Sequence, residues 1–305
     1  MRERLVKIVR IWEGLGNQLF QYSYARAYQL HTGEEVRLDT NEAFKSQFPN
    51  GKGKADTRSY GLYHFKIALQ GFDVEKCIQY RYLGRKNFIE KKIYEKAKHG
   101  KWKYSFWEEC EKPHQYKIWF TNIPGEAYIK GWFQNEKYFK DVRHIILKDL
   151  RLVKPIIMKD ELKELYAKKN VVSIHVRRGD YIKYNIALPK QYYYRAIEKI
   201  DSMIKKPTFL IFADDVGWAK KIFADSEEIY FISDYGKYHD YEELILMSKC
   251  EHNIIANSSF SWWGAWLNTN EDKIVVAPDR WPFTKRGENL SILPEEWYKV
   301  DAYKI

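Results

Sequence analysis

The residues best equipped for chemistry stand in four short turns. Arg177-Arg178-Gly179-Asp180 places two guanidinium groups, a glycine and a carboxylate side by side. Asp214-Asp215 pairs two carboxylates, Ser233-Asp234 adds a hydroxyl and a carboxylate, and Asn257-Ser258-Ser259 offers an amide and two hydroxyls ahead of Phe260-Ser261. The planar fork of arginine matches phosphate or carboxylate oxygens two at a time. Hydroxyls and free N–H groups at a helix start favour anions through the helix dipole. Paired carboxylates suit a divalent cation, a helix cap or the hydrogen-bonding edge of a guanine, and the sequence leaves these three open at Asp214-Asp215. Taken singly, each turn is equally well explained by surface chemistry: exposed arginines, an aspartate cap, a serine N-cap on a buried aromatic helix.

What distinguishes the four is where they fall. Each follows a run that reads as a strand, at 171–176, 208–212, 228–232 and 253–256, and a further strand is expected at 273–277. The run Val171-Val172-Ser173-Ile174-His175-Val176 has the β-branched apolar character of a strand buried on both faces. Helical patterns lie between the strands at 189–204, 216–223, 240–249 and 260–268, with Asp240 and Glu243 spaced as a capping box. Alternating strands and helices predict a parallel sheet with right-handed crossovers. Parallel strands end on one edge, so the four turns converge where open α/β sheets bind their ligands.

The first half carries a weaker version of the same plan. An apolar run at 5–11 leads into Trp12-Glu13-Gly14-Leu15-Gly16-Asn17-Gln18, a helix over 18–31 closed by Gly33, and a strand at 35–39. This is a βαβ unit. Gly14 and Gly16 either let backbone N–H groups approach an anion or simply make a tight turn. A strand is expected at 127–133 and a helix from an Asn135 cap to Leu150. Residues 51–54 read as a loop. The lysine-rich stretch 81–103 reads as a solvated face, or, through its Tyr and Trp residues, as a contact with an acidic acceptor or membrane surface. The boundary is placed near Pro155, giving domains 1–155 and 156–305.

Composition narrows the class. The chain has 305 residues, 17% of them aromatic, and a net charge of +11, which points to an anionic partner. A nucleic-acid binder needs its charges in a stripe with rings between them, and the stretch 81–103 lacks the glycine-aromatic signatures of common RNA modules. The three cysteines (Cys77, Cys110, Cys250) are odd in number and widely spaced, which fits a reducing compartment rather than a disulfide framework. No apolar run is long enough to span a membrane, and residues 1–10 lack a signal-peptide core. A cytoplasmic location follows as the expectation, with the positive charge favouring peripheral contact with an anionic membrane.

Four motifs together resemble the α-1,2-fucosyltransferase family: Gly14-Leu15-Gly16-Asn17-Gln18-Leu19-Phe20-Gln21-Tyr22, His175-Val176-Arg177-Arg178-Gly179-Asp180-Tyr181, Phe212-Ala213-Asp214-Asp215 and Asn257-Ser258-Ser259-Phe260-Ser261-Trp262-Trp263. They occur in that family's order and span nearly the whole chain. The resemblance implies a GT-B-like α/β fold, two Rossmann-like domains facing a cleft, with GDP-fucose held mainly by the C-terminal half. It implies inverting transfer of L-fucose to the 2-hydroxyl of a galactose in an oligosaccharide or lipid-linked glycan, with no metal and no other cofactor. Arg177 would hold the diphosphate, His175 and Asp214 or Asp215 would lie near the guanine, and Ser258–Ser261 near the phosphates. Asn17 and Gln18 would face the cleft from the other domain. Arg178, Gly179 and Asn257 complete the donor-binding set, and Asp180 is the favoured general base. Arg178 is expected to turn away from Arg177 towards packing. One departure stands out: the family usually has glycine where this chain has Glu13, making Glu13 an acceptor-side candidate. The alternatives are a glycosyltransferase using another GDP-sugar or acceptor, and a non-catalytic sugar-binding protein.

Overall fold

The computed structural model describes residues 6–40, 59–71, 105–109, 115–224, 228–282, 284 and 291–303. The readings at 51–54 and across 81–103, together with Cys77 and Cys110, lie outside the described residues. The chain divides into two compact units, Met1–Val153 and Lys154–Ile305.

In the first unit, strands β1 (Val6–Arg10), β2 (Glu35–Asp39), β3 (Ser105–Glu108) and β4 (Ala127–Lys130) form a parallel sheet in the order β2-β1-β4-β3. Helix α1 (Leu15–Thr32) makes the β1-to-β2 crossover and buries Leu19, Phe20, Tyr22, Tyr24 and Ala27. It begins three residues before the expected start because the Gly14 carbonyl already accepts the N–H groups of Asn17 (2.9 Å) and Gln18 (3.1 Å). Gly33 ends it as expected, at φ 69° with its N–H on the Gln29 carbonyl at 2.9 Å.

Two expectations fail here. The strand expected at 127–133 stops at Lys130, because Phe133 turns to φ 51° to stack on Tyr24 at 3.8 Å. A Cβ on Gly131 would meet the Phe133 ring at 2.6 Å, so that turn requires glycine. The helix expected from Asn135 to Leu150 is broken into 3-10 turns at Glu136–Tyr138 and Lys140–Val142 before α2 (Arg143–Asp149). Phe139 leaves helical geometry there to bury its ring completely. Asn135 still caps, accepting the Lys137 N–H at 3.0 Å.

The second unit holds β5 (Val171–Val176), β6 (Thr208–Ala213), β7 (Ile229–Phe231), β8 (His252–Ile254), β9 (Val275–Pro278) and β10 (Tyr298–Val300). All pair in parallel, in the order β10-β9-β8-β5-β6-β7. Its described helices are α3 (Asp160–Tyr166), α4 (Gly179–Lys183), α5 (Lys190–Asp201), α6 (Val216–Ile222), α7 (Ile232–Tyr235), α8 (Asp240–Ser248) and α9 (Ser259–Trp266). The two-unit, parallel-sheet α/β class expected of a GT-B-like chain is thus what is observed. Val172, Ile174, Phe209 and Ile211 pack with Tyr192, Ala196 and Ile200 of α5 in the core. Each such burial contributes about 1.5–3 kcal/mol before entropy is charged against it.

All six β5 residues are buried, including the polar Ser173 and His175. Ser173 is satisfied through Asn253, whose amide donates to its Oγ at 2.7 Å, and Asn268 in turn donates to Asn253 Oδ1 at 2.8 Å. The capping box of α8 is shifted by one residue from expectation. His239 is the N-cap and Glu242 closes the box, accepting the His239 N–H at 2.9 Å. Cys250 is buried and free.

Candidate functional site

The strand order sets the site. Counting from β5, the chain adds β6 and β7 on one side, then returns to place β8, β9 and β10 on the other. The reversal lies between β5 and β8, and ligands of doubly wound sheets bind outside the carboxyl ends of the strands at such a point. The turn after β5 is Arg177–Asp180 and the turn after β8 is Asn257–Ser258, so the two motifs flank the reversal. Asp214-Asp215 follows β6 next door.

Arg177 is held by two carboxylates. Its Nη2 donates to Asp180 Oδ1 at 2.6 Å, its Nη1 pairs with Asp214 Oδ2 at 2.9 Å, and its guanidinium carbon lies 5.5 Å from the centre of the Tyr181 ring. Asp214 also accepts the backbone N–H groups of Arg178 (2.8 Å) and Gly179 (3.1 Å). A Cβ on Gly179 would stand 3.0 Å from that carboxylate, so a larger residue there would press on the clamp. Arg178 turns away, as expected, to stack 3.9 Å above the Trp218 ring and pair with Asp215 at 3.2 Å. Asp215 is also the N-cap of α6, accepting the Trp218 N–H at 3.0 Å.

Both aspartates are therefore committed to building the arginine turn. Asp214 is a clamp and Asp215 a cap, and neither is turned outward as a free pair for a cation. Among the described residues no group of three or more His, Cys, Asp or Glu side chains is placed to hold a metal ion. Ser233-Asp234 is the least integrated of the four turns: it lies within α7, and Asp234 pairs with Lys220 at 2.6 Å on the surface.

On the other flank, Ser258 caps α9, accepting the Phe260 N–H at 3.3 Å. Ser261 spends its hydroxyl on the carbonyls of Ala256 and Ser258, both at 3.1 Å. The positive end of the α9 dipole lies at this turn. Asn257 donates its amide to the Ile186 carbonyl at 2.8 Å, while its Oδ1 is buried with no partner. His175 Nδ1 is likewise buried and unpartnered, its ring 5.4 Å from Phe260. Burial, reinforced by the Arg177 charge, pushes the imidazole down to about 3, so His175 is neutral near pH 7. These two atoms are among ten buried side-chain polar atoms of the described residues without a hydrogen-bond partner, and they lie on the two flanks of the strand-order reversal.

In the first unit, Gln18 is wholly buried, contrary to a role on an open face. Its amide donates to the carbonyls of Glu13 (2.7 Å) and Ser59 (2.9 Å) and accepts the Gly61 N–H at 2.8 Å, so the side chain is engaged in holding that turn. Asn17 donates to Glu13 and accepts from Gln134 at 2.8 Å. Glu13 has φ 65° and also accepts the Trp132 indole N–H at 3.0 Å.

Three participants escaped the sequence reading. Trp132 follows β4 on the same sheet edge as Glu13, and the rule that found the other turns points there once the strand is ended at Lys130. Glu109, directly after β3, is buried and accepts the N–H groups of Trp132 (2.8 Å) and Phe133 (2.9 Å). Burial pushes its carboxyl up to about 7, against the pull of those N–H groups and of Lys117. Glu243, read as a capping residue, is pushed up to about 7 by burial and then by the charges of Asp240 and Asp214, which puts it in electrostatic reach of the arginine turn.

A model of glycosyl transferase family 11 matches residues 6–301. The Escherichia coli O-antigen biosynthesis glycosyltransferase WbnK is 31% identical over 301 residues, covering 88% of this chain and 92% of the relative. An α-1,2-colitosyltransferase of Escherichia coli is 29% identical over 314 residues, covering 97% of this chain and 99% of the relative. The galactoside α-(1,2)-fucosyltransferase 2 of Hylobates lar is 24% identical over 203 residues, 60% of this chain and 58% of that protein.

Proposed function

The chain belongs to glycosyl transferase family 11, and from that premise we propose that it moves L-fucose from GDP-fucose to the 2-hydroxyl of a terminal galactose, with inversion. The observation that carries this reading is the strand-order reversal between β5 and β8, flanked by Arg177 on one side and the α9 start on the other. A sugar nucleotide diphosphate fits this pair of anion devices. The neutral His175 and the unpartnered Asn257 Oδ1 offer nearby hydrogen bonds to the nucleotide. The resemblance carried by the four motifs supports GDP-fucose as donor, and the galactoside α-(1,2)-fucosyltransferase relative supports a galactoside acceptor.

In the reaction, the bond from the sugar to the β-phosphate breaks and negative charge grows on departing GDP. Asp180 and Asp214 take two of the five N–H donors of Arg177, and in this reading the remaining donors serve the phosphate. Fixed donors aimed at that developing charge do most of the catalytic work in a closed site. The 2-hydroxyl of galactose attacks from the opposite face and loses its proton to a carboxylate. Asp180 fits that role poorly while a guanidinium holds it, and it fits the role of orienting Arg177 well.

The C-terminal unit takes the donor and the N-terminal unit the acceptor. No helix among the described residues is long and apolar enough to cross a membrane, and the +11 charge favours reversible contact with an anionic bilayer, where a lipid-linked acceptor resides. A second reading has a specific observation behind it: the colitosyltransferase relative matches over nearly its full length. Colitose is fucose without its 3-hydroxyl, so the same site would accept GDP-colitose.

One assay separates these readings. The protein is incubated with GDP-fucose or GDP-colitose and a panel of galactosides, and the product linkage is read by NMR. An α-1,2-fucosylated galactoside is the expected product. Transfer from GDP-colitose alone replaces the donor, and no transfer from either, with GDP bound, leaves another GDP-sugar or acceptor, or a non-catalytic sugar-binding protein. Amide exchange with GDP provides the local check: protection is expected at 175–181 and 257–261, and protection confined to 1–130 overturns the assignment of the donor to the C-terminal unit.

A further inference from the structure

We infer that the turns after β1 and β4 form a subsite for a neutral sugar, with Trp12 and Trp132 as its apolar floor and Glu13 as its polar arm. The inference rests on the transfer reading above and specifies the acceptor that reading requires.

β1 and β4 are adjacent parallel strands, so Trp12-Glu13 and Gly131-Trp132 emerge side by side from the carboxyl edge of the sheet. The two indoles meet at 4.7 Å between ring centres, tilted by 48°, and both are only partly buried. Indole rings in such a place present an apolar face and one N–H donor each. Here both donors are turned inward: Trp12 Nε1 to the Gly131 carbonyl at 3.3 Å and Trp132 Nε1 to Glu13 Oε2 at 3.0 Å. Lys130 Nζ lies 5.3 Å from the centre of the Trp12 ring, its charge paired with Glu108 at 2.6 Å, so the apolar surface offered to the C–H face of a hexose is chiefly that of Trp132.

The rings are also held still. The buried Glu109 carboxylate grips the backbone N–H groups of Trp132 and Phe133, and Asn17, itself held by Gln134, donates to the same Glu13 oxygen that Trp132 reaches. Glu13 sits at φ 65°, a backbone conformation that an L side chain adopts only at a cost, and such strain collects where a side chain is used. The Glu13 carboxylate fixes the Trp132 indole and the Asn17 amide through Oε2, and it carries a negative charge beside the two rings. It also repels a uronic acid or another anionic sugar, so the same group selects for neutral acceptors and against charged ones.

The test compares wild type with Glu13→Gly, Glu13→Gln and Trp132→Phe, using N-acetyllactosamine as the neutral acceptor and a galacturonide as the anionic one. Glu13→Gly relieves the positive φ but loses the Asn17 and Trp132 hydrogen bonds, so its thermal unfolding is measured beside the kinetics to confirm a folded enzyme. Its loss should fall on the acceptor KM, raised about tenfold, and not on the KM for GDP-fucose; the preference for neutral over anionic acceptor should drop by about tenfold. Glu13→Gln should lose the charge preference while keeping most of the neutral affinity. Trp132→Phe should weaken both acceptors together. An unchanged neutral-to-anionic ratio in Glu13→Gly and Glu13→Gln overturns the subsite while leaving transfer intact. A wild type that never uses GDP-fucose overturns the transfer reading instead. The subsite is then judged by galactoside titration of indole fluorescence: a response lost in Trp132→Phe supports it, and an absent or equal response ends it.

Discussion

Arg177 and Asp214 are joined at 2.9 Å across two neighbouring strands, and the same carboxylate fixes the two N–H groups that follow the arginine. The aspartate thus aims the guanidinium and shapes the loop that carries it. Asp214→Ala should therefore lower the melting temperature and the turnover together. Losing hydrogen bonds to a charged acceptor costs about 1.5–3 kcal/mol, so a fall in kcat/KM of roughly 10- to 100-fold is expected. Steady-state kinetics and thermal unfolding of the same preparation check this. A variant with wild-type kcat/KM would show that Arg177 aims itself.

Arg177→Lys keeps the charge and loses the planar fork. Turnover should drop on the order of 10²- to 10³-fold, mainly in kcat, with the fold intact. Arg178→Lys should be milder in turnover and cost stability instead, since Arg178 stacks on Trp218 and pairs with Asp215. The two variants measured side by side with GDP-fucose and a galactoside decide it. Equal kinetic losses would mean that the divergence of the two side chains has no functional meaning.

Transfer should survive EDTA, because Arg177 and the α9 start supply the counter-charge and Asp214 and Asp215 are occupied within the protein. The measurement is initial rate in chelator, then with Mn²⁺ or Mg²⁺ restored. Activity lost and regained in that cycle would reassign the two aspartates to a metal.

The two units should respond oppositely to pH. His175 is depressed to about 3 from an ordinary value of 6.5, so its contribution is full above pH 6.5 and is lost as pH falls towards 3. Glu109 is raised to about 7 from 4.5, so its contribution is full below pH 4.5 and is lost as pH rises through 7. Amide-exchange protection, corrected for intrinsic rates, should fall in β5 and rise in β4 between pH 8 and pH 5. Glu109→Gln should flatten the β4 response. Parallel changes in both strands would contradict these assignments.

Much of the second unit was legible because its signals agree: apolar β-branched runs, helices of ordinary length, and polar turns at the strand ends. β5 was read to the residue. The arginine turn was recognised, but the work of Asp214 was not, since its three partners lie about 36 residues away in sequence and meet it only through the β5–β6 pairing. In the first unit, β3 is a four-residue strand with a glutamate at its end, and no periodicity betrays it. Phe133 looked like one more strand residue, and only the Tyr24 ring waiting for it explains the turn. Gln18 carried the polarity of a binding residue, yet its partners at Ser59 and Gly61 are set by tertiary structure alone.

The placement of β1 beside β4 bears on how the chain is made. β2 can pair with β1 as soon as residue 39 exists, but the other edge of β1 waits for β4, which is complete only at residue 130. At ordinary rates of translation, roughly 5–20 residues per second, that edge stays open to foreign strands for about 5–20 s. Slower ribosomes lengthen the exposure without changing the finished molecule. A chaperone that covers an open edge would therefore act on this chain before the second unit has begun to emerge.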